Sequence, residues 1–345
     1  MRPDVLVLIG QFAPFHNGHL ALVHRALALA LAGRVVVLVG SSGRARDGRH
    51  PWSADERMQM IHAALPEAAG RLVVRALRDH LYNENAWVLA VQAAVREALG
   101  ADYASARIGL IGGPEDPASD PLRAFPQWPR ERIDAVAVAP SRELRARFLE
   151  DTDAGLDALR GSVPPAVAQW LAAFRANAPA YRRLADEHRF LETYRAGWAS
   201  APYRLTFVTV DAVVVHSGHV LLVARGAQPG QGLLALPGGF LRGDERLLDA
   251  VLRELRDETR LKLPAPVLRG SLRAQEVFDH PERSLRGRTI THAFHFDFPG
   301  GELPPVKGGD DATRARWVPL AALRELESQL FEDHYFIIER FVGTL

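Results

Sequence analysis

Two groups of side chains in this sequence have the types and spacing that suit phosphate chemistry. The first lies in "IGQFAPFHNGHLALVHRALA", residues 9–28, where His16 and His19 stand three apart between two apolar stretches. Gly10 lets a chain turn tightly after a strand, Pro14 stiffens the loop, and Gly18 lets a ligand approach the start of the next helix. A helix start offers free N–H groups and a positive dipole end to an anion, and both imidazoles can reach that anion from the side. The second group lies in "GGFLRGDERLLDAVLRELRDETRL", Gly238 to Leu261. On a helix, Glu254 and Glu258 are four apart with Asp257 beside them, so three carboxylates share one face. By themselves three acids read as a solvated surface. A divalent cation would relieve the crowding, and oxygen ligands suit Mg²⁺, with Mn²⁺ as a substitute; the Gly239 carbonyl is a further ligand.

The elements that must hold these residues can be read from periodicity. Val5–Ile9, Arg34–Val39, Leu72–Ala76, Arg107–Ile111 and Ile133–Val138 are short, apolar and largely β-branched, as buried strands are. Leu20–Leu31, Ala54–Leu65 and Ala86–Leu99 between them have helical spacing. Such alternation predicts a Rossmann-like α/β domain, a parallel sheet with helices on both faces, whose ligands bind at the carboxyl ends of the strands. His16 and His19 fall at that rim. From Pro164 to Trp198 the pattern is helical only, divided at Pro179, and Gly197–Tyr203 reads as a connector. A β-rich pattern follows, with a hairpin turning at Ser217-Gly218 and one clear helix, Arg246–Thr259, whose Leu248, Val251, Leu252 and Leu255 form an apolar stripe. The expected division is residues 1–175, a helical linker 176–200, and an α/β/α domain 201–345.

Composition excludes several classes. The 345 residues carry 42 basic and 41 acidic side chains, a net charge of +1, so nothing marks nucleic acid or an anionic membrane as a partner. With no cysteine, disulfides and zinc–thiolate sites are absent. The apolar run at the start is too short for a signal peptide, and Leu20–Gly40 is interrupted by His24, Arg25, Gly33 and Arg34. A cytoplasmic protein is the expectation; its oligomeric state, homo-oligomer or not, stays open.

Longer spacings carry a resemblance. Gly239, five residues, Glu245, seven residues, then Arg253-Glu254-Leu255-x-Asp257-Glu258 resembles the Nudix box. Asp257 stands where that family has Glu, and Arg260 where it has Gly. The resemblance implies a Nudix hydrolase that splits a nucleoside diphosphate linked to another group, with Gly239, Glu254, Asp257 and Glu258 at the metal and Arg253 and Glu245 orienting loop and helix. "FDHPERSLRGRTITHAF", with Arg283, Arg286 and Arg288, is similar to the matching segment of Nudix ADP-ribose pyrophosphatases, and guanidinium forks suit phosphates. His292 and His295, three apart on a strand, face opposite ways and make a poor metal pair. Asp310 or Asp311 in "KGGDDATRARW" is either a further acid or a plain turn.

Gly10-x-Phe12-x-Pro14-x-His16-x-Gly18-His19 resembles the signature of the HxGH nucleotidyltransferases, and "GSSGRARDGRHPWSADERMQMI" is similar to archaeal-type nicotinamide mononucleotide (NMN) adenylyltransferases. In "PSRELR", Ser141 and Arg145 match that family's Ser-Thr-x-x-Arg motif; without the family the stretch reads equally as a helix capped by Ser141. Trp52 and Trp87 are candidates to stack on a nucleotide ring, or core residues. Taken together, and including "DHLYNENAWVLAVQ", "FPQW" and "ETRLKLP", the chain resembles the bifunctional NMN adenylyltransferase/Nudix hydrolases nearly end to end. That implies ATP, NMN, NAD and ADP-ribose as ligands, with His16, His19 and Arg145 holding the triphosphate, Gly10, Phe12, Gly18 and Ser141 lining the nucleotide site, and magnesium arriving with ATP. Departures from the pattern are Gln11 for Arg, Glu115 for Lys and Arg142 for Thr, two of which remove positive charge. The alternatives are an ADP-ribose pyrophosphatase with an inactive nucleotide-binding half, or a regulatory Nudix protein, which would need a basic recognition helix that no segment after Trp317 supplies.

Overall fold

The computed structural model describes residues 2–30, 33–112, 121–132, 139–298 and 300–343. The chain forms two compact units, Met1–His188 and Arg189–Leu345.

In the first unit, strands β1 (Val5–Gly10), β2 (Arg34–Val39), β3 (Leu72–Ala76), β4 (Ile108–Gly112) and β5 (Arg130–Arg132) form a parallel sheet in the order β3-β2-β1-β4-β5. The expected strand Ile133–Val138 lies outside the described residues. Alternation along the central strands sorts side chains to two cores. Leu6, Leu8, Val35 and Val37 pack on one face, Val5, Val7, Val36 and Leu38 on the other. Each such side chain contributes about 1.5–3 kcal/mol on burial. Helices α1 (Asn17–Leu29), α2 (Ala54–Ala64) and α3 (Glu84–Leu99) cross between strands. Their starts are set by side chains: His16 caps α1, Ser53 and Glu56 form a capping box on α2, and Asn83 Oδ1 accepts the Ala86 N–H at 3.0 Å. Helices α4 (Ser141–Leu149), α5 (Asp153–Arg160) and α6 (Pro165–Asn177) complete the unit, and Pro179 begins α7 (Pro179–Ala196), along which the unit boundary falls.

The second unit is built on β6 (Thr206–His216), β7 (His219–Arg225), β8 (Leu234–Ala235), β9 (Gly238–Phe240), β10 (Leu272–Phe278), β11 (Arg288–Phe298) and β12 (Ala312–Pro319). Their order is β10-β11-β6-β7-β12, with β8 on β7 and β9 on β6; β11 and β6 run parallel, in register from Arg288↔Thr206 to Phe298↔His216, and the other strand pairs among the described residues are antiparallel. The β6–β7 hairpin turns at Ser217 and Gly218, both with positive φ (47° and 72°). Helix α8 (Leu247–Thr259) lays Ala250, Val251, Leu252 and Leu255 on Val210, Ala212, Phe294 and Phe296, which leaves its acidic face to the other side. Arg260 ends α8 with φ 53°, a left-handed cap in which glycine is the usual residue. Helices α9 (Ala265–Gly270) and α10 (His334–Val342) follow. No helix among the described residues is long and apolar enough to cross a membrane.

Candidate active sites

In the first unit the loop after β1 turns at the carboxyl edge of the sheet. His16 and His19 cap α1 reciprocally: His16 Nδ1 accepts the His19 N–H and His19 Nδ1 accepts the His16 N–H, both at 3.3 Å. Because each Nδ1 is an acceptor, each ring carries its proton on Nε2. The rings stack with centroids 3.6 Å apart and an interplanar angle of 13°. Burial brings His16 down to about 4; burial and the neighbouring His16 ring hold His19 well below the usual imidazole range. The pair is therefore neutral at pH 7, a stack of two donors rather than two cations.

Arg145, buried in α4, donates to the Ala13 carbonyl at 2.7 Å, so helix and histidine loop are joined 132 residues apart in sequence. Ser141 is the first residue of α4 and Pro140 holds the cap position, so a capping role for Ser141 is not what the structure shows. Trp52 requires a correction: it is 1% exposed and packs on Phe148 and Phe174 (5.3 and 6.5 Å), which removes it from any ligand. Its aromatic character serves the core. Trp87 is half-buried against Phe125 at 5.7 Å. Gln11 and Arg142 are exposed; Glu115 lies outside the described residues. Reading the sequence alone missed Arg57. It is 1% exposed, and its guanidinium donates to the carbonyls of Gln11 (2.6 Å), Gly40 (2.7 Å), Ser41 (3.1 Å) and Ser53 (3.2 Å).

In the second unit a cavity of about 100 Å³ opens between β6, β9, α8 and the segment before α10. Glu258, 5% exposed, accepts the Gly238 N–H at 2.9 Å and shares a hydrogen bond with Asp311. Burial first, then Asp311, pushes its carboxyl up to about 9. Glu254 is also buried and raised by burial, while Arg253 pulls it back down through a 2.7 Å bond. The same Arg253 bridges to Glu245 at 2.6 and 2.9 Å, which ties helix to loop. Gly239 packs its backbone against the Glu254 carboxylate: a Cβ there would lie 2.5 Å from Glu254 Oε1, so the Glu254 side chain would have to shift. Asp257 is half-buried beside Glu254; of the three acids on α8 only Glu258 lines the cavity itself.

Of the three predicted arginines, Arg283 and Arg286 line the cavity and Arg288 does not, and the fork of Arg283 is already engaged. Arg283 is 3% exposed and gives Nε and Nη2 to Asp333 at 3.0 and 2.9 Å, with Asp211 at 4.0 Å. A guanidinium fork fits a carboxylate as well as a phosphate, and here the fold supplies the carboxylate. Arg288 reaches the carbonyl and carboxylate of Asp279, away from the cavity. Arg286 does line it, 4.9 Å over the Phe240 ring and 3.8 Å from Glu332 Oε2. Arg225, missed from the sequence, joins it with its guanidinium 4.0 Å over Phe331. Glu332, Asp333 and His334 also cluster, but Asp333 is held by Arg283 and His334 Nδ1 accepts the Leu236 N–H at 2.9 Å, so the cluster is a structural knot.

The cavity is lined by both acids, Glu258 and Asp311 among them, and guanidiniums, those of Arg225, Arg283 and Arg286. The other unit carries a neutral-histidine loop at the edge of a parallel sheet. The family model of the NUDIX domain matches residues 205–341, and that of cytidylyltransferase-like domains residues 7–102. A bifunctional NMN adenylyltransferase/ADP ribose pyrophosphatase from Francisella tularensis, also solved complexed with AMP and a manganese ion, is 32% identical. It superimposes with a TM-score of 0.91 over 99% of this chain and 98% of its own. An ADP-ribose pyrophosphatase of Methanocaldococcus jannaschii is 34% identical over 47% of this chain and 85% of its own. A nicotinamide/nicotinic acid mononucleotide adenylyltransferase of Acinetobacter baylyi is 28% identical over 54% and 94%. The chain belongs to the bifunctional NMN adenylyltransferase/ADP-ribose pyrophosphatase family.

Proposed function

We propose that the chain is a two-site enzyme of NAD metabolism. The second unit hydrolyses ADP-ribose to AMP and ribose 5-phosphate; the first transfers the adenylyl group of ATP to NMN, giving NAD and pyrophosphate. The observation that carries the hydrolase is the cavity lined by Glu258 and Asp311 together with Arg225 and Arg286. Buried Glu258 is hydrogen-bonded to the exposed Asp311, where a cation would neutralise both carboxylates, and Gly239 brings backbone against Glu254. These donors are all oxygens, which fits Mg²⁺, or Mn²⁺ in its place, held by Glu254, Glu258 and the Gly239 carbonyl. When bound, such an ion neutralises pyrophosphate charge and makes water a better nucleophile. Arg286 and Arg225, which line the same cavity, bind phosphate oxygens and orient the anhydride, so that water oxygen adds to phosphorus as the P–O bond to the leaving phosphate breaks. Arg283, Asp333 and Asp211 hold the cavity lining in place.

In the first unit an NMN phosphate oxygen attacks the α-phosphorus of ATP and pyrophosphate leaves. The protein's part is positioning and charge stabilisation. His16, with its proton on Nε2, donates to the triphosphate, stacked on His19. Arg145 fixes the loop through Ala13 and lies beside it. A second reading, a hydrolase with a weakened first unit, is favoured by one observation: Gln11 is exposed at the loop where the family pattern has arginine.

Two incubations of the whole chain with Mg²⁺ test this, one with NMN and ATP, the other with ADP-ribose, each followed by chromatography. NAD plus pyrophosphate and AMP plus ribose 5-phosphate are expected; an absence of AMP sinks the hydrolase reading, and an absence of NAD leaves the second reading.

A further inference from the structure

Arg57 lies in the first turn of α2 and is fully buried, yet no carboxylate is among its hydrogen-bond partners; four backbone carbonyls are. A buried cation needs compensation, and here oxygen dipoles provide it, with Asp79 and Glu56 near enough to favour the charge. The carbonyls belong to three segments: the ends of β1 and β2 and the cap of α2. Two of the residues at these ends are left-handed without being glycine, Phe12 (φ 50°) and Ser41 (φ 54°). Each directly follows a carbonyl that Arg57 holds, Gln11 and Gly40. Such conformations persist only where the surroundings impose them, and they concentrate at functional sites.

The two ends differ in what lies beyond the held peptide. In a planar trans peptide the N–H points opposite to the C=O. At β2 the N–H groups of Ser41 and Ser42 go to Asp79 Oδ1 (3.0 Å) and the Leu77 carbonyl (3.1 Å), both within the fold. At β1 the left-handed turn instead aims a side chain. The Phe12 ring stands edge-on to His19 with centroids 4.9 Å apart, and His19 stacks on His16. A chain of contacts therefore runs from Arg57 through the Gln11 carbonyl and Phe12 to both histidines.

We propose that Arg57 is a positioning residue of the first site: it holds Phe12 in the left-handed conformation that seats the His16–His19 stack. This rests on the reading that the loop binds nucleotide phosphate. Lysine could keep the charge but has no planar fork to serve four carbonyls at once. The test compares Arg57→Met and Arg57→Lys with wild type in the full chain, reading three quantities. They are the imidazole Cε1–H resonances of His16 and His19, kcat and KM for ATP in NAD synthesis, and thermal unfolding, with ADP-ribose hydrolysis as a check on the other unit.

For Arg57→Met we expect displaced resonances of both histidines, at least a tenfold rise in KM for ATP, ADP-ribose hydrolysis within twofold, and cooperative unfolding; Arg57→Lys should recover less than half of the loss. Wild-type resonances with an unchanged KM would overturn the proposal. So would a loss of activity in which all unit resonances collapse together and Arg57→Lys restores everything, because that describes a staple without aim. If Arg57→Met does not fold, Arg57→Lys against wild type decides the matter by the same resonances and the same KM. If the wild type makes no NAD, the reading of the first site falls, and the resonances still decide the role of Arg57.

Discussion

The two sites handle charge in opposite ways. In the second unit, carboxylates are crowded on one helix face and buried, so that Glu258 keeps a proton until something better neutralises it. In the first, the chemistry-bearing rings are neutral, and the buried charges, Arg57 and Arg145, face backbone carbonyls of the loop. A crowded acid site is made to take up a cation. A loop fixed by hidden guanidiniums presents neutral donors already in place. The first depends on which side chains stand on α8; the second depends on how the backbone after β1 is held.

The largest effect should come from the acids of the cavity. Glu258→Gln keeps shape while removing the acidic group that Asp311 and Gly238 contact, and ADP-ribose hydrolysis should fall on the order of 10²-fold or more. NAD synthesis, measured on the same preparation, should stay within twofold. Unchanged hydrolysis by the purified variant would remove Glu258 from the site and end the contrast between the units.

On the neutral side, His16→Ala or His19→Ala should lower NAD synthesis by roughly ten- to a hundredfold, the range of one or two charge-assisted hydrogen bonds lost. Hydrolysis of ADP-ribose should continue. Full synthesis by both variants would make the stack a helix cap only. The contrast can also be sharpened by restoring charge: Gln11→Arg combined with Glu115→Lys should raise NAD synthesis about tenfold from a weak wild-type level, by the same magnitudes. No gain would mean that these departures do not limit the reaction.

How much of this was legible in the sequence follows from how local each feature is. Strands β1, β2 and β4 were, because their runs are almost wholly apolar and buried, and β3 was through its first three residues, Leu72, Val73 and Val74; α8 was, because its apolar stripe and acids alternate at helical spacing. Glu258 and Gly239 were placed by spacing within one helix and its preceding loop. Arg283 was assigned to phosphate because the carboxylate that claims it, Asp333, lies 50 residues on and carries no local signal. Arg225 and Glu332 reach the cavity from separate parts of the chain for the same reason. Arg57 was overlooked because one arginine in "SADERMQMI" looks like the polar face of a surface helix; only the meeting of two strand ends shows what it binds. Trp52 stayed open between ligand and core because it adjoins the motif, and its packing puts it in the core.

Acid should separate the units further. The His16 and His19 rings have folded pKa values below the ordinary imidazole value of 6.5, His16 near 4. Between those pH values the unfolded chain binds protons that the folded unit refuses, so stability is complete above about pH 6.5 and declines as pH falls toward 4. The thermal transition of the first unit, followed from pH 7 to 4.5, should therefore drop more steeply in wild type than in a His16→Asn, His19→Asn double variant. Equal slopes would mean that the histidines protonate as freely in the fold as outside it.

The smallest expected effect lies just beyond the acid helix. Arg260 holds φ 53° at the end of α8, where the Nudix pattern has glycine, and a side chain in that region costs about 1–2 kcal/mol. Its side chain is exposed and passes close to the backbone of Gly309, so little packing offsets the strain. Glycine loses more entropy on folding than arginine's backbone does, which takes back part of the gain. Arg260→Gly should then stabilise the second unit by about 1 kcal/mol, read as a higher urea midpoint at unchanged slope. ADP-ribose hydrolysis should remain within twofold, because Arg260 does not line the cavity. A lower midpoint would show that the arginine side chain, crossing Gly309, holds the end of α8 more firmly than the left-handed cap strains it, and that this departure from the pattern is a local brace for the helix carrying Glu254 and Glu258.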